Sequence, residues 1–157
     1  MERAQKESII KDLKKKMVFI TGPRQVGKTW LAKDIIRLFP GSVYLNFDRA
    51  EDRGIIRDEA WLEDTTLLVL DELHKMKGWK NYIKGVFDTR PSEMKILVTG
   101  NARLEAFRQQ GDSLAGRFFR HRLLPFSPAE ASRVSESVDP LLFLSRGGIF
   151  RTPSCGD

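Results

Sequence analysis

The sequence predicts an α/β domain whose largely parallel sheet is covered by helices on both faces. Three observations predict it. Short apolar runs alternate with stretches of helical periodicity, the pattern of repeated strand–crossover–strand units. The runs are apolar at consecutive positions, which marks strands buried on both faces. A glycine-bearing segment, "GPRQVGKTW" (residues 22–30), stands between the first apolar run and the first long amphipathic stretch.

Each element follows from local pattern. Ile9, Ile10 and Leu13 share one face of a short helix over 7–15. "MVFIT" (17–21) is the first buried strand. "TWLAKDIIRLF" (29–39) carries Leu31, Ile35 and Leu38 at helical spacing and is stopped by "PG" at 40–41. "SVYLNF" (42–47) is the second strand, 54–63 a weak helix, and "TTLLVL" (65–70) the third strand. A helix over 79–89 turns Tyr82, Ile83, Val86 and Phe87 inward, and "KILVTG" (95–100) is the fourth strand. A short helix over 102–109, a fifth strand over 117–126 and a helix opening at Ser127-Pro128 complete the series. The final "SRGGIFRTPSCGD" loses periodicity and reads as a tail.

Bulk properties bound the function. A chain of 157 residues, 41% hydrophobic and 31% charged, is sized and composed for one folded domain. Its longest apolar runs, "TLLVL" and "PLLFL", are too short to span a bilayer, so no membrane association is expected. The opening "MERAQKESIIKDLKKK" lacks the apolar core and cleavage site of a secretory signal. The single cysteine, Cys155, forms no internal disulfide, which fits a cytoplasmic setting. The net charge of +6 admits two readings: solvated helix faces, or a surface for DNA or an acidic protein partner.

"GPRQVGKT" matches G-x-x-x-x-G-K-[S/T], a pattern with roughly a one-in-two-hundred chance of arising in a chain of this size. It follows a strand and opens a helix, as a phosphate cradle must. Gly22 and Gly27 let the backbone curl so that its N–H groups, with those of Pro23's neighbours Arg24, Gln25 and Val26, face phosphate oxygens. The helix N-terminus adds a favourable field for anions. Lys28 is then the residue to reach the β- and γ-phosphates, Thr29 the hydroxyl to hold Mg²⁺, and Trp30 the next residue along the cradle.

"LLVLDELHK" sets Asp71 and Glu72 at the carboxyl edge of the third strand, where open α/β sheets bind ligands. Asp71 is the candidate magnesium ligand beside Thr29, and Glu72 the candidate base that orients and polarises an attacking water. The competing reading is an ordinary acidic helix start. "TGNAR" after the fourth strand offers Thr99 and Asn101 as polar groups near the γ-phosphate, against a plain turn. Asp48, after the second strand, lies at the same edge. Arg117, Arg120 and Arg122 are candidates for transition-state charge, a nucleic-acid patch or a solvated face, with Arg117 at the loop–strand junction. His74 and His121 have no metal-ligand spacing, and Trp30, Trp61 and Trp79 read as core or half-buried packing. The absence of N-K-x-D and D-x-x-G excludes a Ras-like GTPase. Three functions remain: an ATPase, a basic ATP-sensing module that docks on DNA or a protein with little hydrolysis, and a small-molecule kinase using the arginines as a lid.

Taken in order, "FITGPRQVGKTWLAK", "VYLNFDRAED", "LLVLDELHKMKGW", "KILVTGNARL", "SLAGRFFRHRLLPFSPAE" and "LLFLSRGG" resemble the AAA+ family of prokaryotic ATP-binding proteins that pair an ATPase domain with a C-terminal domain of unknown function. The resemblance implies a P-loop NTPase of AAA+ type, a three-layer α-β-α sandwich with a five-stranded, mainly parallel sheet in the order 5-1-4-3-2. It implies a Walker A loop at 22–29, a Walker B segment at 67–72 with Asp71 on magnesium and Glu72 as base, and Asn101 at the sensor 1 position, where the family more often has Ser. Arg117 matches the arginine of the "LAGR" motif, the family's candidate finger; acting on a neighbour, it would require a homo-oligomer. Residues 1–148 are then the ATPase domain and 149–157 an irregular tail, with the chain stopping before the family's C-terminal domain. The implied function is ATP binding and Mg-dependent hydrolysis driving conformational change in a larger assembly.

Overall fold

The computed structural model describes residues 5–101, Leu114 and 116–125. Among these residues, nine regular elements and one short turn run in the order α1 (Lys6–Leu13), β1 (Met17–Thr21), α2 (Lys28–Ile36), β2 (Val43–Asn46), α3 (Ala50–Asp58), β3 (Leu67–Asp71), a 3-10 turn (Leu73–Lys75), α4 (Trp79–Thr89), β4 (Lys95–Thr99) and β5 (Phe118–Arg122). The strands form one sheet in the order β2-β3-β4-β1-β5, and every pairing is parallel. The expected order 5-1-4-3-2 is this order read from the other side. The helix expected over 102–109, the helix opening at Ser127 and the 149–157 tail lie outside the described residues.

The strand alternation builds two cores from one sheet. Met17, Phe19, Leu68, Leu70, Ile96 and Val98 face Ile56 of α3 and Ile83 and Val86 of α4. Val18, Ile20, Leu67, Val69 and Leu97 face Ile9 and Leu13 of α1 and Leu31, Ala32 and Ile35 of α2. The continuous apolar runs are thus explained: each successive residue serves the opposite layer.

Boundaries differ from expectation in three places. The second helix ends at Ile36, not at residue 39, because tighter i→i+3 bonds from Leu38 to Ile35 and Phe39 to Ile36 break the α-helical ladder before Pro40. Leu38 is therefore 53% exposed, while Phe39 packs against the core. The third helix covers Ala50–Asp58 where 54–63 was expected. Its start is fixed by the buried Asp52, whose carboxylate accepts the Asn46 N–H at 2.8 Å, and it ends at Glu59 in the left-handed conformation. The fifth strand is only five residues long, since the chain leaves the sheet at Leu123 to close over the loop after β1.

Phe19 ties the layers at the centre of the α3/α4 core. It stacks on Phe118 of β5 at 4.6 Å between centroids and meets Trp79 of α4 edge-on at 6.0 Å. Phe19→Ala is expected to destabilise the domain by about 3–5 kcal/mol, read from urea unfolding.

Candidate phosphate-binding site

The site grows from the carboxyl ends of β1, β3 and β4. Beyond Thr21 the chain turns at Gly22, whose φ is +149°; a Cβ there would sit 2.2 Å from the Leu123 carbonyl oxygen. Leu123 is held in that position by its N–H, which donates to the Thr21 carbonyl at 2.7 Å. Gly22 is thus required both by backbone conformation and by the close passage of the chain leaving β5. Gln25 and Gly27 also take left-handed conformations, with φ of 64° and 88°. Pro23, Arg24 and Gln25 face solvent between buried Gly22 and buried Val26, and Val26 packs into the α1/α2 core.

Lys28 opens α2 and bends back over the loop. Its ammonium donates to the Gly22 carbonyl at 3.0 Å and to the Pro23 carbonyl at 2.5 Å. The side chain is nearly buried, and that burial, only partly offset by the charges of Glu72 and Asp71, holds its pKa below the ordinary lysine range.

Asp71 ends β3 and is 1% exposed. Its Oδ2 accepts hydrogen bonds from the Thr29 hydroxyl at 2.8 Å and the Tyr44 hydroxyl at 2.5 Å, and its Oδ1 accepts one from Thr99. The sheet register makes this convergence possible: Asn46 of β2 and Thr99 of β4 both align with Asp71. Burial, then the hydrogen bond and charge of Asp71, push the Tyr44 hydroxyl well above the usual phenol range, so it remains a donor. Thr99 therefore supports Asp71 and, being fully buried, does not face the cleft as a free polar group.

Glu72 follows in a left-handed conformation, φ 58°, with its N–H on the Thr99 carbonyl. This geometry turns its side chain out of the sheet. Its Oε2 lies 3.2 Å from the Lys75 ammonium and 3.7 Å from His74 Nε2. Lys75 also grips both oxygens of Asp48, at 2.7 and 2.6 Å. That bond, before the contribution of Glu72, raises the lysine pKa.

A cleft of about 500 Å³ lies above the loop, lined by Arg24, Gln25, Gly27, Lys28, Thr29, Trp30, Lys33 and Glu72. Trp30 is not the core or half-buried residue expected of it. It is 41% exposed at this cleft, whereas Trp79 is buried and Trp61 packs against the α3/α4 core. Asn101 lies just past β4 at the same sheet edge, half-buried, with Gly100 held to the Ile20 carbonyl.

Arg117 is not brought to this cleft within one copy of the chain. It precedes β5, so it sits at the opposite edge of the sheet, about 16 Å of strand away, and pairs with Asp88 at the end of α4 at 2.9 Å. Arg120 and Arg122 are exposed along the edge strand. His121 points to the other face, where its Nε2 is 2.8 Å from Asp12 of α1. Among the described residues no group of three His, Cys, Asp or Glu side chains is assembled as a metal cage. The sequence reading missed Tyr44, Lys75 and Lys33. Tyr44 stands within the second strand, where the sequence gives it no role; only the pairing of β2 with β3 shows that it reaches Asp71.

Residues 14–132 match the AAA domain family. The chain belongs to this family. No curated protein matches it. Among solved structures it is similar to a signal transduction ATPase with numerous domains and a tetratricopeptide repeat sensor from Pyrococcus horikoshii (TM-score 0.56, 19% identity, 93% of this chain and 27% of that one). It is also similar to the Aeropyrum pernix Orc1 protein in complex with DNA (0.60, 10%, 87% and 49%) and to a DNA polymerase III gamma subunit-related protein from Thermotoga maritima (0.59, 13%, 92% and 53%). With the AAA family match, these likenesses establish the fold, a P-loop NTPase of AAA+ type. The chain covers about half or less of each of these three structures. No helix among the described residues is long and apolar enough to cross a membrane.

Two outcomes test this geometry. Gly22→Ala is expected to cost about 3 kcal/mol in unfolding experiments, because the methyl group meets backbone and not a movable side chain. The second concerns Lys28. The unfolded lysine holds its proton up to 10.5, while the folded one releases it at lower pH. Between those values the unfolded chain binds more protons, so stability rises with pH. Wild type should therefore gain stability relative to Lys28→Met as pH climbs through that window, and the difference should be flat below it.

Proposed function

We propose that this domain binds ATP on residues 22–30 and hydrolyses it with the help of Mg²⁺. The observation that carries the reading is the Thr29–Asp71 hydrogen bond of 2.8 Å beside the Lys28 loop. It joins the first residues of α2 to the end of β3 at the edge where open α/β sheets bind ligands. The donor set of hydroxyl and carboxylate oxygens suits a hard cation such as Mg²⁺, and Thr29 and Asp71 would hold it. When bound, the ion would neutralise charge on the phosphate oxygens.

The chain's own residues supply the rest. Backbone N–H groups of the loop and the N-terminus of α2 bind the phosphates, and Lys28 leaves the Gly22 and Pro23 carbonyls to reach them. Thr99 and Tyr44 orient Asp71. Glu72 takes a proton from the attacking water, which requires its carboxylate to part from Lys75. Asn101 contributes a hydrogen bond near the γ-phosphate, and Trp30 covers the open side of the cleft. Arg117 acts only from a neighbouring copy, which makes a homo-oligomer part of the reading. Hydrolysis then drives a change of conformation within a larger cytoplasmic assembly.

Nucleotide titrations and phosphate-release assays test these roles. Lys28→Ala should weaken ATP binding by more than about tenfold. Glu72→Gln should retain binding and lower turnover by about 100-fold or more. Equal ATP affinity in Lys28→Ala and wild type would overturn the site assignment.

A further inference from the structure

A second cleft, of about 400 Å³, opens at the opposite edge of the sheet from Lys28. It exists because β1 and β4 are neighbours. The α1–β1 connection and the α4–β4 connection therefore enter the sheet side by side and leave a trough between them. The first connection brings Lys14, Lys15 and Lys16; the second brings Arg90, and Lys95 follows as the first residue of β4. Among the described residues the lining holds five cationic side chains and one acidic one, Glu93; Lys16 and Lys95 lie over the Phe119 and Phe39 rings, and Lys95 also donates to the Glu93 carbonyl. The net local charge of +4 compares with +6 for the whole chain. The floor is apolar, formed by buried Met17, Met94 and Ile96.

Gathering like charges in one trough works against folding of the isolated domain and favours an anionic occupant. The kinds of cation select among anions. Arg90, the guanidinium of the lining, is committed internally: its Nε donates to the Met94 carbonyl at 3.0 Å, its Nη1 to the Phe87 carbonyl, and its plane lies over the Phe87 ring. The fork that would grip a carboxylate in two places is thus engaged. What the trough presents outward is lysine, with Lys14 and Lys15 exposed, and lysine reads phosphate as a point charge. Among the described residues no aromatic side chain lines the trough for base stacking.

We infer that this trough is a docking site for the phosphate backbone of duplex DNA, bound without regard to sequence. It lies across the sheet from the Lys28 cleft, so DNA and nucleotide occupy the domain together. This inference does not depend on ATP hydrolysis, and a domain that fails the turnover assay still tests it.

Fluorescence anisotropy of a labelled short duplex, titrated with the full chain over a series of NaCl concentrations, provides the test. Wild type should bind with log affinity falling linearly with log salt. Lys14→Glu with Lys15→Glu should weaken binding by about tenfold or more and reduce the salt slope by about 2. Both positions are exposed, and thermal unfolding checks that the variant is folded. The matching control, Arg57→Glu with Lys77→Glu, changes the net charge equally outside the trough and should retain most of the affinity. Three results would overturn the inference: no duplex binding at low salt, an equal loss in the control, or competition by polyglutamate as strong as by unlabelled duplex at equal charge. The last would assign the trough to an acidic protein segment.

Discussion

The carboxylate of Asp71 is the point on which the rest of the site hangs. A buried carboxylate costs several kcal/mol unless its oxygens are satisfied. Here three hydroxyls do so, from Thr29 of α2, Tyr44 of β2 and Thr99 of β4. One side chain on β3 therefore fixes the start of a helix and both neighbouring strands. The loop before α2 cannot drift without breaking the Thr29 bond, and the β2-β3-β4 register cannot slip without stranding the carboxylate. Chemistry and architecture share the same hydrogen bonds.

Most of the scaffold was legible because buried parallel strands write themselves as unbroken apolar runs. Residues 17–21 and 79–89 were read to the residue. Periodicity failed where the terminating force was not periodic: the tightened turn after Ile36, the Asp52 anchor of α3, and the departure of Leu123 toward Gly22. Each of these depends on a partner remote in sequence or on backbone geometry.

The candidate site was legible in a similar, partial way. Spacing alone brought out the Gly22–Thr29 loop and the Asp71-Glu72 pair. It could not show Tyr44 or Lys75, whose parts arise from cross-strand neighbours and from the left-handed turn at Glu72. It also could not separate the two edges of the sheet. Arg117 was offered to the site as the arginine of the "LAGR" motif, yet its contact is Asp88 at the far edge.

The resting position of Lys28 has a thermodynamic consequence. Its ammonium is already solvated by two carbonyls of its own loop, so a phosphate does not meet a bare cation. Association as proposed would be an exchange in which one set of oxygens replaces another. The measurable affinity is then a difference between two similar terms, smaller than the charge of the ligand suggests. On the proposed reading, the same carbonyls offer the lysine a place to return to when a ligand departs. Under the proposed function, a loop whose lysine is already satisfied suits repeated loading and release better than permanent capture.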